Sequence, residues 1–121
     1  TTEIYTLSLH DALPILASAF ENIVRNALRY SHSRIEVAFT EQNQGITIIV
    51  DDDGPGVSPE DREHIFRPFY RTDEARDRES GGTGLGLAIV ETAISQHRGH
   101  VKADDSPLGG LRVEIWLPKT K

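Results

Sequence analysis

Between residues 16 and 51 the hydrophobic period of this chain switches from that of a helix to that of a strand, and the switch confines it to a layered architecture of helices on a sheet. In LASAFENIVRNALRYS, residues 16–31, Phe20, Ile23, Val24, Ala27 and Leu28 recur at three- and four-residue intervals. That spacing gathers them on one face of a helix. Over residues 34–40, Ile35, Val37 and Phe39 alternate with polar or small neighbours, the period of a half-buried strand. A second strand is expected over 45–51 (GITIIVD), with a turn at 42–45 between the two, so the pair forms a hairpin.

The remainder repeats the pattern. Ser58-Pro59-Glu60-Asp61 reads as a helix start, with Ser as cap, Pro at the first helical position and an acid at the third, and predicts a short helix over 59–65. Residues 72–82 (TDEARDRESGG) are charged, with Ala75 as their one apolar residue, and form a mobile-loop candidate. A helix is expected over 85–97, burying Leu87, Val90, Ala93, Ile94 and His97, with Gly99 closing its C-terminus. Strands over 100–104 and 111–117 flank a turn at 106–110, and Pro118 ends the last one. The strands alternate instead of being apolar throughout, so one face of the sheet is covered and the other is wet. The expected fold class is α+β, a two-layer α/β sandwich with one layer of helices on a mixed β-sheet, in a single domain over 16–121.

Composition narrows the function classes. Lys and Arg number 13 against 19 Asp and Glu, a formal charge of −6, which argues against a general nucleic-acid or anionic-membrane surface. The chain has no cysteine, which excludes disulfides, thiolate nucleophiles and Cys-based zinc sites. No apolar run approaches the roughly 18 residues of a membrane span.

Residues 1–15 (TTEIYTLSLHDALPI) carry no clean period, and 5–15 resemble the in-frame translation of a common short-read sequencing adapter. The segment is expected to be non-native, is set aside as a fusion scar would be, and implies an N-terminally truncated domain. Without its Glu3 and Asp11 the formal charge is −4.

Three features bear on chemistry. The first is the run DDDGPG, residues 51–56, at the end of a strand. An acid held beside glycines can accept a hydrogen bond from a ligand amine while the bare backbone lets a flat ring approach; an acidic turn is the plainer reading. A calcium loop of EF-hand type fails on ligand spacing and on the missing distal Glu. The second is GTGLGL, residues 82–87, three alternate glycines entering a helix N-terminus, where exposed N–H groups suit a phosphate. It matches neither a Walker A loop nor GxGxxG, and a packing hinge would also explain it. The third is a stripe of Asn22, Asn26 and Tyr30 at i, i+4, i+8 beside the apolar face, joined by Arg29. Interior helical Asn is unfavourable, so two on one stripe point to a use; solvated surface amides are the alternative. A neutral Asn oxygen suits Mg²⁺ when phosphates supply the charge, and Arg29, Arg71 and Arg25 can neutralise phosphate.

In this order the three features resemble the catalytic and ATP-binding domain of sensor histidine kinases, in the superfamily that includes Hsp90, DNA gyrase and MutL. Residues 21–30 (ENIVRNALRY) resemble the N box, 52–57 (DDGPGV) the first G box, 66–71 (FRPFYR) the F box and 82–87 the second G box. The resemblance covers about residues 16–118 and implies a Bergerat-type ATP-binding fold with ATP and Mg²⁺ as cofactors. It implies that Asp52 accepts the adenine amino group beside Gly54 and Gly56, and that Asn26 ligates Mg²⁺ with Asn22 nearby. Arg29 and Tyr30 would contact phosphate and ribose. Residues 72–81 would form a lid over ATP, with Arg71 near the γ-phosphate. Gly82, Thr83, Gly84 and Gly86 would shape the hinge and phosphate cradle, and Val57, Leu85 and Leu87 would wall the pocket. Asn26 and Arg71 are the implied catalytic residues.

Hydrolysing members of that superfamily carry a Glu four residues before the metal-binding Asn. Here Asn22 stands there, and Glu21 lies about 100° around the helix. A base that cannot reach water cannot activate it, so slow hydrolysis is expected, with the γ-phosphoryl group passed to a protein side chain, which the resemblance implies is a histidine. None of His32, His64, His97 and His100 has the context of a phosphoacceptor, which the resemblance puts on a separate dimerisation domain. It further implies a homodimeric parent in the bacterial inner membrane, this part cytoplasmic, and a response regulator downstream. Nucleic acid and direct membrane contact are not expected. The open alternatives are an ATPase or protein serine kinase of the same superfamily, and a non-catalytic interaction module.

Overall fold

The computed structural model describes residues 13–68, 70 and 86–118. In chain order these form α1 (Leu13–Tyr30), β1 (Ile35–Glu41), β2 (Gly45–Asp52), a single 3₁₀ turn (His64–Phe66), α2 (Gly86–Gln96), β3 (His100–Asp105) and β4 (Leu111–Pro118). Pro14 falls in the first turn of α1, where its missing N–H costs nothing. The face α1 buries is narrower than its period predicts. Ala19, Ile23 and Ala27 are buried, whereas Phe20 and Leu28 stay exposed. The two alanines flanking Ile23 let the helix approach its neighbours closely, so one stripe at i, i+4, i+8 takes the contact.

The sheet runs β1-β2-β4-β3. Every pairing is antiparallel, which corrects the mixed sheet expected from the sequence. The crossover through α2 does return β3 parallel to β2. The β3–β4 hairpin, however, places β4 between them, so the parallel pair never touches. Register assigns the faces. Ile46, Ile48 and Val50 of β2 lie beside Leu117, Ile115 and Val113 of β4 on the helix side. The core joins Val50, Val113, Ile115 and Leu117 to Ile23, Ala27, Val90, Ala93 and Ile94 from the two helices. On the open side, Asp51 meets Arg112, Lys102 meets Glu114, and the His100 ring stacks on Trp116 with centroids 5.1 Å apart.

Two expected details differ. No α-helix forms over 59–65. Successive turns lead to the 3₁₀ turn instead, and they deliver the adjacent Ile65 and Phe66 into the core. Seven residues are too few to sustain a helix without a packed face. The Asp61 carboxylate locks these turns by accepting the hydroxyls of Tyr70 and Ser58, which hold its pKa below the ordinary value. At the end of α2 the left-handed residue is Arg98 (φ 65°), not Gly99. The Gly99 N–H bonds Ile94 O and the Arg98 N–H bonds Ser95 O, a Schellman closure with Arg98 at its pivot. Gly99 is needed for a different reason: a Cβ there would sit 2.2 Å from the Trp116 carbonyl oxygen.

Candidate functional site

β2 ends in Asp51 and Asp52, whose side chains the two-residue period of the strand sends to opposite faces, and Asp53 follows where the chain leaves the sheet. Asp51 points to the open face and takes a bidentate pair from Arg112 at 2.9 and 3.0 Å. Asp52 points to the helix side and is 3% exposed. Its Oδ1 accepts the Gly54 N–H at 2.9 Å and the Leu111 N–H at 3.1 Å. Among the described residues every hydrogen bond to this carboxylate falls on Oδ1, which leaves Oδ2 for a further donor. Asp53 turns back and accepts the N–H groups of His32 (2.8 Å) and Ser33 (3.1 Å) and the Ser33 hydroxyl (2.9 Å). The Ser33 amide is the main cause holding its pKa well below the usual carboxylate range. The three acids therefore avoid mutual repulsion by separate partners.

Asp53 also fixes where α1 ends, because residues 32 and 33 follow that helix directly. The loop after β2 is pressed onto the same helix end: a Cβ on Gly54 would lie 2.3 Å from the Tyr30 carbonyl oxygen. Gly56 adopts a left-handed backbone, φ 75°. Asn22, Asn26, Arg29 and Tyr30 are all half-buried. Asn22 donates its Nδ2 to Ser18 O at 2.9 Å, and its Oδ1 lies 3.4 Å from where a Cβ of Gly86 would be, at the start of α2. The Asn stripe thus runs from the N-terminus of α2 to the Gly54 loop. Val57 and Leu87 are half-buried against the core on either side.

The Asn26 side chain makes no hydrogen bond to the described residues, so its amide is available to a ligand. No group of three or more His, Cys, Asp or Glu side chains among them could hold a metal ion. A cation beside Asn26 would therefore take its other ligands from phosphate and water, which is the donor set Mg²⁺ accepts. Glu21 lies on the exposed side of α1, paired with Arg25 at 2.6 Å. That pair engages both the nearest candidate base and one of the three arginines read as phosphate partners. Arg71, Gly82, Thr83, Gly84 and Leu85, with the loop over 72–82, lie outside the described residues. Gly54, whose N–H bonds the Asp52 carboxylate, meets Tyr30 at the C-terminal end of α1, Asn22 reaches Gly86 at the start of α2, and Gly56 packs on Gly110.

Sequence reasoning missed the turn over 106–110, read only as a connection. Its residues meet Asp52 directly: the Gly110 N–H bonds Asp52 O at 3.1 Å. The adjacent Gly109-Gly110 pair was the available signal, though nothing local ties it to an aspartate 58 positions earlier.

The sequence matches the family described as histidine kinase-, DNA gyrase B- and HSP90-like ATPase over residues 12–121. It is 82% identical over 106 residues to the sensor histidine kinase CpxA of Escherichia coli K12, an alignment covering 88% of this chain and 23% of that protein. The chain thus spans about a quarter of the length of such curated relatives. Among solved structures, the mycobacterial sensor histidine kinase MprB superposes with TM-score 0.78 at 30% identity, covering 87% of this chain and 72% of that one. The ATP-binding domain of PrrB from Mycobacterium tuberculosis gives TM-score 0.71 at 28% identity, covering 89% and 69%.

Proposed function

The chain belongs to the family of histidine kinase-, DNA gyrase B- and HSP90-like ATPases, and from that membership we propose that it is the ATP–Mg²⁺-binding catalytic domain of a two-component sensor histidine kinase. Its task is to hold ATP so that the γ-phosphoryl group passes to a histidine on a dimerisation domain elsewhere in the parent homodimer. A response regulator then takes the phosphoryl group. The observation that carries the reading is the buried Asp52 carboxylate, with one oxygen satisfied by two backbone amides and the other open to a donor. A buried carboxylate built this way suits a ligand amine, here the adenine amino group, with Gly54 and Gly56 letting the loop close onto Tyr30 and Gly110 beside it. Asn26 would hold Mg²⁺, with Asn22 beside it, and magnesium would neutralise the triphosphate. Arg29 and Tyr30 would contact phosphate and ribose, Arg71 the γ-phosphate, and residues 82–87 the phosphate cradle.

Asn22 in place of an acid, together with Glu21 tied to Arg25, favours transfer over hydrolysis within this superfamily. Phosphoryl transfer is mostly positioning and charge neutralisation, so a domain that binds ATP well still needs its acceptor delivered. No helix among the described residues is long and apolar enough to cross a membrane. We place the domain at 16–121, with 1–15 outside it.

Titration calorimetry tests the reading. Asp52→Asn should weaken ATP binding by about 1–3 kcal/mol through the lost charged acceptor. Asn26→Ala should abolish the part of the affinity that depends on Mg²⁺ and spare binding measured in EDTA. Unchanged affinity in the first variant, or equal losses with and without Mg²⁺ in the second, would refute the assigned roles.

A further inference from the structure

We propose that the β3–β4 turn is the positioning device for the base-reading carboxylate, and that Gly110 is the residue on which purine selection depends. The proposal rests on the nucleotide reading above and adds a residue to it. Asp52 sits at the end of β2, but its position is set from the far hairpin. The Leu111 N–H holds Oδ1 at 3.1 Å, and the Gly110 N–H holds the Asp52 carbonyl at 3.1 Å. The turn that presents these two amides is closed on itself. Ser106 is buried, its Oγ accepts the Leu108 N–H at 3.0 Å, its N–H bonds Gly110 O at 2.9 Å, and its carbonyl accepts the Gly109 N–H at 2.9 Å.

Gly110 has no room for a side chain. A Cβ there would lie 2.2 Å from Asp52 Oδ1, 2.5 Å from Gly54 N and 2.6 Å from Asp52 O. Two of those atoms belong to backbone that cannot swing aside. The third is the oxygen that two amides hold. Any side chain at 110 therefore displaces the carboxylate or breaks its anchoring, and Oδ2 loses its aim. Gly109, the preceding residue, provides the contrast. Its backbone is left-handed at φ 103°, yet a Cβ there meets nothing within 4 Å. Substitution at 109 strains the turn without touching Asp52.

The experiment compares ATP with inosine triphosphate, which has a 6-oxo group where ATP has the amine. Binding of both, with Mg²⁺, is measured for the wild-type chain, Gly110→Ala and Gly109→Ala. The wild type should prefer ATP by about tenfold or more, as expected where a buried acceptor must be paired. Gly110→Ala should lose most of that preference, through weaker ATP binding and little change for the inosine nucleotide. Gly109→Ala should lower the unfolding temperature and scale both affinities alike. A Gly110→Ala variant that keeps the wild-type preference overturns the positioning role. Absence of ATP binding by the wild type would instead overturn the nucleotide reading itself. Hydrogen exchange supplies a measurement independent of whether Gly110→Ala folds. Asp52→Ala should speed exchange at the Gly54 and Leu111 amides by about tenfold while the Val113 amide, held in the strand ladder, keeps its rate. Unchanged exchange at Leu111 would mean that its amide does not hold the Asp52 carboxylate and would overturn the positioning role.

Discussion

Asp51, Asp52 and Asp53 show how one residue type does three jobs when backbone geometry separates its side chains. The run could be read in the sequence as costly, and the resemblance assigns its middle member to a ligand amine. What paired with each could not, since Arg112, Leu111 and Ser33 lie 61, 59 and 20 positions away. Asp53 carries a pH signature. Its folded pKa lies below the ordinary Asp value of 3.8, chiefly because the Ser33 amide bonds the ionised form. Between those two values the unfolded chain binds more protons, so stability rises with pH. The contribution is fully present above 3.8 and drains away as pH falls below it. Asp53→Asn should therefore be less stable than wild type at pH 7 in urea unfolding, with the gap closing steadily below pH 4. A gap that stays constant down to pH 3 would show that the Ser33 and His32 bonds do not favour the charged form. The Asn stripe was legible in the same partial way. Periodicity put Asn22 and Asn26 on one side of α1, whereas the Ser18 carbonyl that orients Asn22 comes from the turn before it and leaves no distinct mark in the sequence.

Among the elements, α2 stops in a manner its sequence only half announces. Gly99 looks like the left-handed cap, because glycine bears that conformation without cost. The left-handed residue is instead Arg98, while Gly99 is consumed by its close approach to the Trp116 carbonyl. Cap geometry and tertiary contact compete for the same glycine, and the contact wins because a backbone oxygen 2.2 Å from a Cβ cannot yield. The exposed Arg98 then bears the strain. Replacing it should recover part of it: Arg98→Gly is expected to stabilise by about 0.5–1 kcal/mol, less than the full left-handed penalty because glycine also loosens the unfolded chain. Thermal unfolding decides the matter, and a lowered midpoint would mean that the Arg98 side chain makes contacts worth more than its backbone strain. Gly99→Ala should be far more damaging, since β4 would have to move. The stretch over 59–65 errs in the opposite direction. Its start signal begins no helix: the Ser58 hydroxyl donates to the Asp61 carboxylate, and tight turns present Ile65 and Phe66 together to the core.

For the molecule as a whole, the layers were legible and the strand order was not. Periods of about 3.6 and 2 distinguish helix from strand wherever a face is buried, so α1, α2 and all four strands fall within a few residues of expectation. Nothing in a strand's own alternation says which neighbour it takes. Both β3 and β4 could have sat beside β2 with an apolar face inward, and only long-range packing selects β4. That choice matters for function because it carries the 106–110 turn to Asp52. The candidate site is consequently assembled from α1, the end of β2, the start of α2 and the β3–β4 turn, parts that meet only in the folded chain. A ligand that binds there binds the native state alone, and its binding free energy adds to stability. ATP with Mg²⁺ at 100 times its dissociation constant should raise the unfolding free energy by about 2.7 kcal/mol, seen as a higher thermal midpoint. EDTA should remove most of that rise if Asn26 and a cation share the triphosphate. A chain beginning at Leu13 should give the same midpoint and the same rise, because α1 begins there and no site residue precedes it. If the shorter chain folds but shows no rise with ATP, residues 1–12 belong to the nucleotide site and the boundary at 16 is wrong. A rise of equal size in EDTA would leave the domain boundary intact and remove magnesium from the account.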